Sequence, residues 1–232
     1  MVNTLIFIHG SGDSSRAWHY QIKAFPGAKA IDLPGHPRGE PCHSIEQYAE
    51  WLNDYILNNK YEPVILAGHS MGGAVAQMYA LKHPENTTAL ILIGTGARLR
   101  VNPAFLSIIR DGITNPEKWF NDVIKPFYKD IPTEAKEPIL ERIKENGAKV
   151  QLNDMLCCDK FDIMDKVEQI KIPTLIICGS KDTMTPPKYS SYLTNKINGA
   201  KLVIVDEGGH LVFAEKPQTV NQAIGEFLVN LQ

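Results

Sequence analysis

The sequence predicts an α/β fold, a doubly wound and mostly parallel sheet of about six strands flanked by helices. Three observations predict it. First, short runs are continuously apolar rather than alternating: Thr4 to Ile8, Lys29 to Leu33, Val64 to Ala67, Ala89 to Ile93, Thr174 to Cys178 and Lys201 to Val205. A strand covered on both faces reads this way, as in a parallel sheet packed between helices. Second, helical patterns fall between the runs, at Ile45 to Asn59, Ala74 to Lys82, Pro187 to Ile197 and Pro217 to Leu231. Alternation of strand and helix is the signature of this class. Third, the stretch VILAGHSMGGAVAQMYAL drives a strand straight into a helix through Gly68-His69-Ser70-Met71-Gly72, leaving a lone serine at the corner.

One interval departs from the alternation. Between Ile93 and Thr174 no convincing strand occurs, only helical segments at Pro103 to Gly112, Pro116 to Tyr128, Thr133 to Asn146 and Gln151 to Cys158. It is too long for a simple crossover and reads as a helical insertion that returns to the sheet through VEQIKIPTLII.

Length and composition narrow the function. A chain of 232 residues that is 44% hydrophobic can bury a substantial core as one domain or as a domain with an insertion. The formal net charge is −2 with both signs mixed along the chain, so there is no basic block for a phosphate backbone or an anionic membrane. Neither nucleic acid nor a membrane is an expected partner. The N-terminal MVNTLIFIHGSG has no basic segment before its apolar run, and it reads as a strand rather than a signal peptide. Cys42, Cys157, Cys158 and Cys178 form no C-x-x-C pair and do not alternate with histidines at metal-ligand spacing. Reduced thiols in a cytoplasmic protein are expected, with no metal and no cofactor.

The corner carries the chemistry. Gly68-x-Ser70-x-Gly72 between a strand and a helix fits the nucleophile elbow, which holds a serine on a tight turn at the carboxyl edge of a sheet. A serine hydroxyl is a weak nucleophile and needs a base with an orienting acid. Catalytic groups in open α/β sheets gather beyond the carboxyl ends of strands. After the fifth run comes GSKDTMTP with Asp182; after the sixth comes DEGGHLVFAEKP with His210. Plainer readings compete: Ser70 as a helix N-cap, Asp182 as a turn former, and Asp206 as the rival acid.

Four motifs taken in order, HGSG at 9–12, GHSMGG at 68–73, GSKDTMTP at 179–186 and GGHLVFAEKP at 208–217, resemble the α/β-hydrolase superfamily over nearly the whole chain. The resemblance implies an α/β-hydrolase fold, with a core of residues 1–96 and 168–232 and a helical cap over 97–167. It implies a triad of Ser70, His210 and Asp182, and an oxyanion hole made by the backbone N–H groups of Ser11 and Met71. The other acid position of the superfamily, after the fourth run, reads GTGAR and holds no carboxylate. His9, His36 and His69 are expected to shape loops, and His19, His43 and His83 to lie on the surface or pack.

In this superfamily the chain opens on what corresponds to the third strand, which is the reason for expecting a smaller sheet. Ser70 at the elbow excludes the aspartate chemistry of haloalkane dehalogenases and epoxide hydrolases. Gly73-Ala74-Val75-Ala76 lacks the arginine of relatives in menaquinone synthesis. The expected activity is hydrolysis of a small-molecule carboxylic ester, lactone or thioester by a monomer or homodimer. A C–C bond hydrolase and a cofactor-free perhydrolase would use the same residues, and a hydrolase-like receptor is the non-catalytic alternative. Trp18, Trp119 and Phe120 are the expected pocket residues. Phe105, Ile108, Ile109, Ile124, Phe127 and Met155 are divided between cap core and pocket, and Arg98 or Arg100 would suit an acidic substrate.

Overall fold

A computed structural model describes residues 3–231. Six parallel strands form one sheet: β1 (Thr4–Ile8), β2 (Lys29–Ile31), β3 (Val64–His69), β4 (Thr87–Ile93), β5 (Thr174–Gly179) and β6 (Lys201–Val205). Their order across the sheet is β2-β1-β3-β4-β5-β6. The chain starts in the middle, winds outward to β2, returns to β3, and then winds the other way. In register, Ile8 lies beside Gly68, His69 beside Ile93, and Gly179 beside Val205, so all these strands end at one edge.

The continuous apolar runs are explained by helices on both faces. Leu5, Phe7, Ile65 and Ala67 point into one core; Ile6, Ile8, Val64 and Leu66 point into the other. Each fully buried aliphatic side chain stabilises by about 1.5–3 kcal/mol, which makes the central strands the least negotiable part of the chain. The outer strands β2 and β6 expose Lys29 and Lys201, charges that discourage edge-to-edge pairing.

The helices are α1 (His19–Ala24), α2 (Ile45–Asn59), α3 (Met71–Lys82), α4 (Pro103–Thr114), α5 (Pro116–Trp119), α6 (Lys125–Phe127), α7 (Thr133–Lys160), α8 (Pro187–Lys196), α9 (Val212–Glu215) and α10 (Pro217–Val229). Helix α2 begins where Ser44 accepts a hydrogen bond from the Gln47 N–H and ends with Lys60 in the left-handed conformation. The turn of 3-10 helix at Ser15–Trp18 and α1 are absent from the sequence reading, because their apolar residues are too few to set a period.

The segment between β4 and β5 is helical, as expected, but its internal joints differ. Residues 116–128 are a short helix, a π-helical stretch at Phe120–Ile124 and another short turn. The Lys125 N–H reaches back five residues to the Phe120 carbonyl, and Pro126 immediately after it has no N–H to continue the regular ladder. Residues 133–146 and 148–160 form one long helix kinked at Gly147, whose φ of 77° is open to glycine without strain. Among the described residues no helix is long and apolar enough to cross a membrane.

Candidate active site

The corner between β3 and α3 explains its own glycines. A Cβ on Gly68 would lie 2.2 Å from the Gly72 carbonyl oxygen, and a Cβ on Gly72 would lie 2.2 Å from the Ile8 carbonyl oxygen. Strand, helix and neighbouring strand therefore meet at backbone contact. Ser70 is forced to φ 51°, ψ −116°, a conformation that costs a non-glycine residue on the order of 1–3 kcal/mol. It is held there by its N–H to the Ile93 carbonyl (2.9 Å) and by its own carbonyl, which accepts from the Thr95 hydroxyl (2.8 Å). Its side chain makes no helix-capping hydrogen bond, which removes the N-cap reading, and it lines a cavity instead.

Asp182 and His210 come from the loops after β5 and β6 and meet beside Ser70. His210 Nδ1 is 2.8 Å from Asp182 Oδ2. Asp182 is buried and fully engaged: Oδ1 accepts from the N–H groups of Met184 and Thr185 (2.9 Å each), and Oδ2 also accepts from the Thr185 hydroxyl at 2.8 Å. Burial alone would raise the pKa of this carboxyl; the hydrogen bond and charge of His210, with the Thr185 bonds, outweigh it and hold the carboxyl below its ordinary value. An ionised carboxylate only accepts, so Nδ1 of His210 carries the hydrogen and Nε2 is left as a base. His210 lines the same cavity as Ser70, although no direct hydrogen bond joins the two among the described residues. Asp206 sits exposed, accepting weakly from Ser180, and takes no part.

His69 lies against His210. Its ring is 4.7 Å from the His210 ring, and its Nε2 donates to the His210 carbonyl at 3.0 Å. Burial, then the proximity of His210, lowers its pKa to about 3, so it is a neutral spacer. His9 is equally neutral, lowered to about 3 chiefly by burial; its Nε2 accepts from the Leu33 N–H and its Nδ1 donates to the Gly10 carbonyl. Both histidines shape loops, as the sequence suggests.

Two cavities, an inner and an outer one, share Ser70 in their walls. The inner one, about 50 Å³, lies between the loop after β1 (Gly10 to Asp13), His210 and the helical segment above. The outer one, about 340 Å³, runs from Ser70 past Phe105 and Met184 towards Arg100, Thr183 and Tyr189. Phe105, Phe127, Met155 and Met184 border both, so the walls are mainly apolar.

The aromatic pocket residues expected from sequence are corrected by the packing. Trp18 is fully buried in the core between Phe7 (ring centroids 4.8 Å apart) and Phe213 (4.4 Å), away from the cavity. Trp119 is buried against Gly112 and donates from Nε1 to Gln151 Oε1 at 2.8 Å; Phe120 packs beneath the ammonium groups of Lys125 and Lys144. The turn that carries them aims Val123, Ile124 and Phe127 at the cavity, three to eight residues further on. Of the two arginines, Arg100 borders the outer cavity and Arg98 does not, and both lean on Asp162.

Sequence reasoning missed a polar cluster between the helical segment and the loop after β1. Asp13 is buried and accepts from the Tyr128 hydroxyl at 3.0 Å; burial raises its pKa to about 7 against the lowering effect of its hydrogen bonds. Asp154 has no exposed surface; it accepts from the Gly12 N–H (2.8 Å), the Tyr48 hydroxyl (2.9 Å) and His36 Nε2 (2.8 Å). Desolvation lowers the His36 pKa, but the charge of Asp154 and the hydrogen bond to it outweigh this and hold it above its ordinary value. A signal was available: Gln151 and Asp154 lie on the stripe of α7 that also buries Ala148, Met155 and Cys158, where polar residues need a reason.

The chain matches the family model described as Alpha/beta hydrolase family over residues 5–223. It is 25% identical to the pimeloyl-[acyl-carrier protein] methyl ester esterase of Neisseria meningitidis serogroup A, covering 91% of this chain and 72% of that protein. Among solved structures, a thermophilic esterase superposes with a TM-score of 0.84 at 32% identity, covering 99% of this chain and 91% of the other. The enol-lactonase from Burkholderia xenovorans LB400 superposes at 0.83 with 20% identity, covering 99% and 92%, a likeness of fold.

Proposed function

This chain belongs to the alpha/beta hydrolase family, and on that premise we propose that it is a serine hydrolase of carboxylic esters, or of a lactone or thioester. The observation that carries the reading is the strained Ser70 at the β3–α3 corner, sharing one cavity with a His210 whose Nδ1 is tied to a buried, ionised Asp182.

In the proposed reaction the substrate carbonyl enters between Ser70 and the loop after β1. His210 Nε2 takes the Ser70 proton as Oγ bonds to the carbonyl carbon, and the resulting imidazolium is stabilised by Asp182. The carbonyl oxygen, now negative, is held by the N–H groups of Ser11 and Met71. Among the described residues neither N–H has a hydrogen-bond acceptor of its own, and Met71 is the first residue of α3, where N–H groups are free and the helix dipole favours a negative charge. His210 returns the proton to the leaving alcohol as the C–O bond breaks. His210 then takes a proton from water as the water oxygen bonds to the acyl carbon, and gives it to Ser70 Oγ as the bond between acyl carbon and Oγ breaks, releasing the acid.

The helices of 97–167 act as the cap in this reading, and the small inner cavity favours a short group on one side of the ester. Four free thiols, three of them buried, suit a reducing, cytoplasmic setting. A series of p-nitrophenyl esters from acetate to laurate, run on the wild type and on Ser70→Ala, tests the proposal together with a fluorophosphonate probe. Turnover and labelling that both depend on Ser70 are expected. A protein that is neither labelled nor active would overturn the reading and leave a receptor role; labelling without ester turnover would direct the search to C–C bond substrates.

A further inference from the structure

The helical segment does more than roof the cavity. It grips the backbone of the loop after β1 at several points. The Gly12 N–H donates to Asp154 Oδ2 at 2.8 Å. Asn146 Nδ2 donates to the carbonyls of both Gly12 (3.0 Å) and Asp13 (2.9 Å). The Tyr128 hydroxyl donates to the Asp13 carboxyl, and the Ser11 hydroxyl reaches the Gln151 carbonyl at 3.5 Å. Asn146 and Asp154 stand on either side of the Gly147 kink, so the bend of α7 brings both onto the same short loop.

The consequence lies in one peptide plane. The carbonyl of Gly10 is held by His9 Nδ1 (2.8 Å) and by the Asp13 N–H (3.3 Å). In a trans peptide the N–H points opposite the carbonyl. The Ser11 N–H is therefore aimed away from those two donors, and it stays aimed only while the turn from Gly10 to Asp13 stays closed. What closes that turn from outside is Asn146 on the Gly12 and Asp13 carbonyls and Asp154 on the Gly12 N–H. Neither Asn146 nor Asp154 lines the cavity, so neither can touch substrate.

We propose that Asn146 and Asp154 are positioning residues for the oxyanion hole, so that the Ser11 N–H is correctly aimed only when the helical segment is docked on the loop after β1. This rests on the ester-hydrolase reading above. Docking of the segment and activation of the site then become one event. A substrate that seats the helices also completes the group that stabilises its own transition state.

The test compares Asp154→Asn and Asn146→Ala with Asn153→Ala. Asn153 is also on α7 and also ties the segment to the rest of the chain, through the Cys42 carbonyl and His43, but it does not touch the loop after β1. Each variant is checked for folding by circular dichroism, then assayed with p-nitrophenyl butyrate and with phenylboronic acid, which forms a tetrahedral adduct on the nucleophile. Loss of one oxyanion donor costs about 10²–10³ in turnover, and a misaimed donor should cost about 10-fold or more. Asp154→Asn and Asn146→Ala are expected to lower kcat by that factor with KM nearly unchanged, and to weaken the boronate equally. Asn153→Ala is expected to keep kcat. Should Asp154→Asn not fold, Asn146→Ala carries the comparison, since it removes no buried charge. Equal losses in all three variants would make the effect one of docking alone and overturn the inference, as would a rise in KM at constant kcat. A wild type that reacts with neither ester nor boronate would overturn the hydrolase reading, and this inference with it.

Discussion

Asp13 makes the stability of this protein depend on pH in a direction opposite to that of a salt-bridged carboxylate. The group is 2% exposed and burial lifts its pKa from 3.8 to about 7. Between those two values the unfolded chain has released the proton while the folded chain still holds it. Folding is then progressively penalised as pH rises from about 4 to about 7, and the penalty levels off above that. A shift of roughly 3 pKa units at 1.36 kcal/mol each sets a ceiling of about 4 kcal/mol. His9 and His69 act the other way, since their lowered values, about 3, make the folded state lose stability as pH falls below 6.5. The wild-type profile mixes these effects, and the difference between wild type and Asp13→Asn isolates the first. The asparagine keeps an acceptor for the Tyr128 hydroxyl and cannot ionise. Urea unfolding of both proteins at pH 5 and pH 7 should show the variant gaining about 2 kcal/mol on the wild type over that interval, with only about 0.4 kcal/mol more from pH 7 to 8. A difference that stays flat from pH 5 to 7, as for a carboxylate ionised in both the folded and the unfolded state, would refute the reasoning.

Three other expectations follow from the corner and its partners. Gly72→Ala drives a methyl group into the Ile8 and His9 carbonyls, at 2.2 and 2.5 Å, and should destabilise by about 3 kcal/mol or more, read as a lowered midpoint in thermal unfolding or as insoluble protein. Ser70→Gly should be more stable than Ser70→Ala by about 1 kcal/mol, because only glycine relaxes at φ 51°, while both are inactive; equal melting temperatures would deny the strain. Asp182→Asn should leave the fold intact and lower kcat on p-nitrophenyl esters by on the order of 10⁴-fold, since the amide can favour the wrong His210 tautomer.

The framework was legible because its signals are local. Continuous apolar character marked every strand, and Ile45–Asn59 was read with its ends correct because Ser44 caps it and the chain turns at Lys60. The close approach at Gly68 and Gly72 is written in the absence of side chains. Ser70, Asp182 and His210 follow β3, β5 and β6 in the chain, and a parallel sheet brings the carboxyl ends of its strands to one edge; the family resemblance then set Asp182 ahead of Asp206. Some ends moved: β5 runs on to Gly179, where the hydrogen-bond ladder passes the apolar run at Cys178, whereas β2 stops at Ile31, short of Leu33.

The roof of the cavity was not legible, for a different reason. A helical stripe says which residues are buried and leaves open what they are buried against. Trp119 and Phe120 had the right chemistry for a pocket and face α4 and two lysines instead, whereas Val123 and Ile124, on the following turn, border the cavity. Trp18 follows the loop of the site in sequence and turns into the opposite side of it, against Phe213 from a distant helix. The partners of Asp154 lie at Gly12, His36 and Tyr48, more than a hundred residues away in the chain. Sequence by itself determined the sheet, the corner and the residues that the sheet edge must gather, since each depends on neighbours in the chain. Only tertiary structure decided which polar groups hold the loop after β1 and which apolar groups shape the cavity, since a buried hydrogen bond or contact is defined by what the folded chain brings opposite it.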